Sequence, residues 1–189
     1  HRPVIGVTAD LNADRATVGV AYARMLDRAG ALPVILPCLP DRVDELLDLC
    51  DGIVLSGGDD PIMTHWGVPM HPKATPLDAT RQAFELALLA ALDRDPRKPV
   101  LGVCLGMQGL VTTYGGKVDR VLPAHGTVAR ITHDGRGVFR GLPQYFAGVR
   151  YHSLAVLGLP DVLEITAETG DIVMGLRHKS LPIHGVQFH

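Results

Sequence analysis

The run Pro99-Val100-Leu101-Gly102-Val103-Cys104-Leu105-Gly106-Met107-Gln108 constrains the fold more than any other stretch of the 189 residues. A short apolar segment, the composition of a buried strand, breaks at the pentapeptide Gly102-Val103-Cys104-Leu105-Gly106. The residues from Met107 to Tyr114 can then open a helix. Strand, tight turn and helix in that order form an elbow with Cys104 at its bend. Glycines flank the bend because a side chain there would clash across the turn. A thiol held this way stands at the mouth of a sheet and over a helix N-terminus. The dipole and the free N–H groups there favour thiolate over thiol, bringing a pKa of ~8.5 to roughly 3.5–7.5. On its own the pentapeptide fits a second reading equally well, a buried core cysteine at a strand end.

Around this elbow, apolar runs alternate with helical patterns. Pro3–Val7, Pro33–Leu36 and Gly52–Leu55 read as strands. Val18–Ala29 reads as a helix ended by Gly30. Asp41 is expected to cap a helix carrying Val43, Leu46, Leu47 and Cys50. Gly67–Pro76 is a Pro-rich loop. Asp78–Asp93 is an amphipathic helix, with Leu77, Phe84, Leu88 and Leu92 at helical spacing. Such alternation argues an α/β fold: a mostly parallel central sheet with helices on both faces. Beyond Tyr114 the pattern changes to short strand-like runs at Lys117–Leu122, Thr127–Thr132, Ala147–Tyr151, Val162–Ala167 and Ile172–Arg177. These predict a smaller antiparallel extension, ending in the strand that carries His189. Functional groups in parallel sheets gather beyond the carboxyl ends of the strands, where both Ser56–Asp60 and Cys104 fall.

Composition narrows the function classes. A formal net charge of −2 with no basic stripe argues against binding nucleic acid through its phosphates. No apolar run approaches the ~20 residues needed to cross a bilayer. The N-terminal residues read as a strand start and not a signal peptide. Three cysteines are too few for a disulfide framework, so a reducing, cytoplasmic setting is expected. The nine histidines are scattered, with no His-x-x-x-His or Cys-x-x-Cys pair, so neither a metal nor another cofactor is expected.

The far end of the chain bears on Cys104. Ile183-His184-Gly185-Val186-Gln187-Phe188-His189 reads as a strand with a histidine at its tip. A catalytic cysteine needs a base to take and return its proton, and that base lies far away in sequence. Together, Gly102–Gln108 and the terminal Gly-Val-Gln-Phe-His resemble the class I glutamine amidotransferase superfamily. The likeness is a mosaic. Arg2–Thr8, Ala29–Pro37, Asp51–Asp59, and Arg81 with Phe84-Glu85-Leu86 resemble the γ-glutamyl hydrolase branch. Tyr114–Val118, His125-Gly126, His133-Asp134-Gly135, Arg150–Leu154 and Met174–Lys179 resemble the glutaminase component of anthranilate or aminodeoxychorismate synthase. Leu105 also follows the amidotransferases; the hydrolase branch usually has Arg there.

The resemblance implies a flavodoxin-like sheet and a set of roles. Cys104 is the nucleophile and His189 the base. The third triad member is a Glu two residues after the His, a position this sequence does not reach, so residues 1–189 are expected to form a single amidotransferase-like domain lacking its C-terminal end. A tetrahedral oxyanion needs preorganised N–H donors. Leu105, just after the nucleophile, is one candidate, and Gly57 or Gly58 is the other. A docked partner is expected to be needed to order the Gly57-Gly58 loop. Gln108, with the backbone around Ser153-Leu154 and His152, would line the pocket for an amino-acid head. His152 is a rival base. His184 stands where the amidotransferases usually carry a Glu.

The expected activity is thiol-dependent hydrolysis of a γ-glutamyl amide, glutamine first, through a γ-glutamyl thioester on Cys104. Ammonia would pass to a synthase subunit. Two other readings stay open: a self-contained γ-glutamyl hydrolase acting on a γ-glutamyl amine or peptide, and a non-catalytic subunit that keeps the fold.

Overall fold

A computed structural model describes residues 1–67, 69, 70, 72 and 74–189. It divides into two compact units, His1–Pro99 and Val100–His189. The first holds β1 (Val4–Thr8), β2 (Asp10–Asn12), β3 (Arg15–Thr17), α1 (Val20–Arg28), β4 (Leu32–Leu36), α2 (Val43–Asp48), β5 (Gly52–Leu55) and α3 (Ala79–Arg94). β1 lies between β4 and β5 and pairs with both in parallel. All four residues of β5 are buried, as a continuous apolar run in a parallel sheet should be. α1 ends on Gly30, whose φ of +85° is a left-handed conformation that favours glycine. The Asp78 carboxylate caps α3, accepting from the N–H groups of Thr80 and Arg81.

Three expectations for this unit need correction. Asp41 caps nothing: Pro40–Arg42 forms a 3-10 turn and α2 starts after it, without a side-chain cap and without Cys50. Proline suits the first position of such a turn because its missing N–H would have no partner there anyway. α3 is not simply amphipathic, since its buried residues include Arg81, Gln82 and Glu85 beside Phe84, Leu88 and Leu92. The short hairpin of β2 with β3 adds two strands that the sequence pattern does not announce. Within the expected loop at 67–76, Val68, His71 and Lys73 lie outside the described residues.

The second unit holds β6 (Val100–Val103), α4 (Leu105–Thr113), β7 (Lys117–His133), β8 (Phe146–Gly158), β9 (Leu163–Thr169), β10 (Ile172–His178) and β11 (Ile183–Val186). β11 is parallel to β6 and antiparallel to β10. It therefore joins parallel pairing on one side to the antiparallel run of β10, β9, β7 and β8 on the other. The two strands expected between Lys117 and Thr132 are one. β7 runs through Pro123 and Gly126 with register shifts between Arg120 and Ala124 and between His125 and Thr127. Bulges of this kind let a strand carry a proline and a glycine at a positive φ. Met107, Val111, Val156, Leu163 and Leu176 form the core under α4. Ile131, Phe139, Ala167 and Met174 form another, joined by Phe146 and Phe188. The expected class holds: an α/β fold with a mixed sheet, its parallel strands flanked by helices. No helix among the described residues is long and apolar enough to cross a membrane.

Candidate active site

The elbow is real and its glycine is required. Cys104 is the N-cap of α4 with φ 52° and ψ −106°, a region that side chains rarely occupy. A Cβ on Gly102 would stand 2.6 Å from the Gly106 carbonyl carbon and 2.7 Å from the Met107 nitrogen, so only a bare backbone allows the helix to start there. A Cβ on Gly185 would stand 2.5 Å from Met107 Cγ, so β11 needs its glycine for α4 to pack close. α4 opens at Leu105, two residues earlier than its sequence suggests. This puts the Leu105 N–H in the first helical position, directly after Cys104.

Adjacent parallel strands bring the two ends of the motif together. Val103 pairs with Val186, and the Cys104 N–H donates to the Val186 carbonyl at 2.7 Å. Past β11 the chain stays tethered: the Gln187 N–H donates to Met174 O at 3.0 Å and the His189 N–H to Val149 O at 3.1 Å. Phe188 joins the rings of Phe139 and Phe146. Desolvation pushes the His189 imidazole below its ordinary pKa, so the ring is neutral at neutral pH and able to accept a proton.

Gln187 is the residue that sequence reasoning passes over. It is fully buried, and its side-chain Nε2 donates to Cys104 Sγ at 3.3 Å. Its Oε1 accepts from Gln108 Nε2 at 3.0 Å, and the same Gln108 nitrogen donates to Leu154 O at 3.1 Å. The available signal is one polar residue inside an apolar strand end, where burial demands hydrogen-bond partners.

His152 is placed differently from a free base. Its Nδ1 lies 2.8 Å from Leu154 O, an atom that only accepts, so Nδ1 carries the hydrogen. Its Nε2 then accepts from Arg150 Nε at 3.1 Å. Both ring nitrogens are engaged. Burial lowers the His152 pKa against the hydrogen bond to Leu154 O, and the Arg150 charge lowers it further, so this ring is held neutral. The Leu154 carbonyl thus ties His152 and Gln108 to one atom, and Ser153 lies half-buried between them.

Gly57 and Gly58 belong to the first unit, and the loop they form is braced from within it. Arg81 is fully buried and donates to Gly57 O at 2.9 Å, Asp10 at 2.8 Å and Glu85 at 3.0 and 3.1 Å. Burial works against the guanidinium charge, but Glu85 and Asp10 together raise the Arg81 pKa, and it stays ionised. Burial also pushes the Glu85 carboxyl up, against the pull of Arg81 and a hydrogen bond from Thr8. The Gly57 N–H is already donated to the Tyr22 hydroxyl at 3.0 Å. Among the described residues nothing takes the Gly58 N–H, and Gly58 is exposed. The loop is thus hydrogen-bonded from within its own unit, by Arg81 and Tyr22. A group of three or more His, Cys, Asp or Glu fit to hold a metal does not occur among the described residues.

Comparison with known proteins gives this geometry a family. The model of glutamine amidotransferase class-I matches residues 21–189. The chain belongs to this family. Its similarity to the aminodeoxychorismate synthase of Streptomyces griseus is 44% identity over 146 residues, 76% of this chain and 18% of that one. To anthranilate synthase component 2 of Thermococcus kodakarensis it is 39% identical over 171 residues, 89% of this chain and 77% of that one. To the component 2 of Thermus thermophilus it is 52% identical over 102 residues, 50% of this chain and 48% of that one. The fold likewise matches solved structures. A putative GMP synthase subunit of Thermoplasma acidophilum aligns over 100% of this chain and 84% of its own, with a TM-score of 0.76 at 24% identity. A glutamine amidotransferase of Thermotoga maritima aligns over 100% and 76%, also with a TM-score of 0.76, at 17% identity. At these identities the likeness is one of fold.

Proposed function

We propose that this chain hydrolyses the side-chain amide of glutamine through a γ-glutamyl thioester on Cys104. One observation carries the reading: the sulfur sits on a strained turn at the head of α4, with an amide N–H already directed at it. Neutral His189 takes the proton of the Cys104 thiol, the thiolate attacks the amide carbon, and the carbonyl electron pair moves to oxygen. The N–H of Leu105 receives that oxyanion, and the family resemblance gives the second donor to Gly57 or Gly58, of which the Gly57 N–H is bound to Tyr22. Protonated His189 gives its proton to the leaving nitrogen, ammonia departs, and the thioester remains. His189 then takes a proton from water, hydroxide attacks the thioester, glutamate is released, and His189 returns that proton to the Cys104 sulfur. Gln108, His152, Ser153 and the Leu154 backbone line the pocket for the amino-acid head. The ammonia goes to a synthase subunit, as the names of the relatives suggest for their own assemblies.

A second reading has its own support. The mosaic likeness of the N-terminal half to γ-glutamyl hydrolases includes Arg81 and Glu85, and these are the side chains that brace the Gly57-Gly58 loop. A loop ordered from within suits an enzyme that works without a partner. The two readings separate in one assay of the complete purified protein. Glutamate release is scored from glutamine and from γ-glutamyl amines, with and without candidate synthase subunits. Glutamine hydrolysed at least as well as any bulky γ-glutamyl amine, by kcat/KM, supports the first. Fast partner-independent turnover of a γ-glutamyl amine with glutamine ignored replaces it with the second.

A further inference from the structure

We propose that Gln187 is a positioning residue for the nucleophile, its side-chain N–H holding the Cys104 sulfur and favouring thiolate, with Gln108 fixing which way that amide faces. This rests on the reading of Cys104 as nucleophile and adds a residue to it. Leu154 O has lone pairs and no hydrogen, so the Gln108 group 3.1 Å from it must be the NH2. The second hydrogen of that NH2 points to the Gln187 side chain at 3.0 Å, so the Gln187 atom there is oxygen. The remaining Gln187 group, facing Sγ at 3.3 Å, is therefore NH2. Three links with one orientation turn an ambiguous amide into a donor.

Packing alone does not explain this side chain. Gln187 is fully buried, and its backbone N–H is already satisfied by Met174 O. An apolar side chain of the same volume would fill the site without an amide to satisfy. The amide stands where the chain's proposed chemistry places a changing charge. A neutral donor remains a donor whether the sulfur is protonated or not. A donor also bonds an anion more strongly than a neutral acceptor, so its effect falls on the balance between thiol and thiolate. A lysine or arginine here would need its own buried counter-charge.

The test reads the thiol itself and not turnover. Alkylation of Cys104 by iodoacetamide is followed across pH by mass spectrometry of the Cys104 peptide. It is run on the complete protein, on Gln187→Met, which keeps the volume without a donor, and on Gln187→Glu, which keeps the contact with Gln108 but turns an acceptor toward the sulfur. The alkylation midpoint is expected to rise by about one pH unit in Gln187→Met and further in Gln187→Glu, which is roughly tenfold slower labelling at a fixed pH below the midpoint. Midpoints equal to the parent in folded variants would overturn the proposal. If Gln187→Met does not fold, Gln187→Leu, which also lacks a donor, takes its place, and a midpoint equal to the parent overturns the proposal. Failure of the functional reading is distinguishable: the parent would then release no glutamate from any substrate, whatever the alkylation profile of its variants.

Discussion

Arg81 and Cys104 each lie in a buried polar network, and the two networks are built from different materials. Around Arg81 the partners are full charges, Asp10 and Glu85, with the carbonyl of Gly57. Around Cys104 they include neutral amides, Gln187 and Gln108, ending on the carbonyl of Leu154. The charged network holds a loop whose geometry must not change, and fixed ions serve that because removing any one of them is expensive. In the proposed mechanism the neutral network surrounds a group whose charge changes twice per turnover. A fixed ion beside it would favour one protonation state throughout. Neutral donors bias the balance and leave the sulfur able to cross it.

The largest expected effect tests whether the neutral network surrounds the reacting group at all. Cys104→Ala and Cys104→Ser should lower turnover by roughly 10³-fold or more with the fold intact, as loss of a nucleophile does. An electrophilic glutamine analogue should label Cys104 and spare Cys38 and Cys50, whose thiols burial pushes up in pKa. Peptide mass spectrometry that finds label spread equally over the three cysteines would break the comparison at its root.

The contrast between ionic and neutral networks is sharpened by stability. Arg81→Met leaves Glu85 buried without its counter-charge and should cost about 3–5 kcal/mol by urea unfolding. Adding Glu85→Leu should recover much of that loss. Gln187→Met removes neutral hydrogen bonds only, and about 1 kcal/mol is expected. Equal losses for Arg81→Met and Gln187→Met would mean the two networks do the same work.

Gly58→Ala probes what the charged network holds in place. The new Cβ would collide with Arg81 Nη1 and stand 2.9 Å from Cζ. Arg81 is fixed by its acceptors, so the loop must move and not the guanidinium. If Gly58 gives one of the proposed oxyanion N–H groups, its loss costs ~2.7–4 kcal/mol of barrier and kcat should fall by about 10²–10³-fold, with KM little changed. A normal kcat would remove Gly58 from the oxyanion site.

Much of this is legible in the sequence, and the exceptions share a cause. β5 and the elbow can be read because an uninterrupted apolar run beside glycines has few other solutions. Asp78 and Gly30 mark helix ends by local chemistry alone. Arg81 and Glu85, four apart on a helix, look like an exposed pair; that both are buried depends on Asp10 and the Gly57 carbonyl, far off in sequence. Gln187 looks like a residue on a strand surface, and its role depends on Gln108 and Leu154, both remote. β7 reads as two strands, parted around Pro123 and Gly126, because the bulges that carry them are set by β8. Apolar pattern reports burial locally, whereas a buried polar residue is defined by partners that pattern does not reveal.

The smallest effect is a pH dependence, and it separates the two histidines beside the amide network. Desolvation lowers the His189 pKa below the usual value of about 6.5. The base must be neutral to accept a proton, so kcat/KM should hold as pH falls to about 6.5 and decline only below it. His152 is lowered too, by burial first, but its Nε2 and Nδ1 are bound to Arg150 and Leu154. His152→Asn should therefore raise KM and leave the acid limb in place, while His189→Asn should remove nearly all turnover. Stability carries the same sign. For a histidine whose pKa is lower folded than unfolded, the unfolded chain binds more protons between the two values, so stability is full above the unfolded pKa and is lost as pH falls through that window. Urea midpoints should thus decline below about pH 6.5 in the parent, and less steeply in His152→Asn. A variant that lost its acid limb with His152 changed, and kept it with His189 changed, would exchange the two roles and place the proton transfer inside the network instead of beside it.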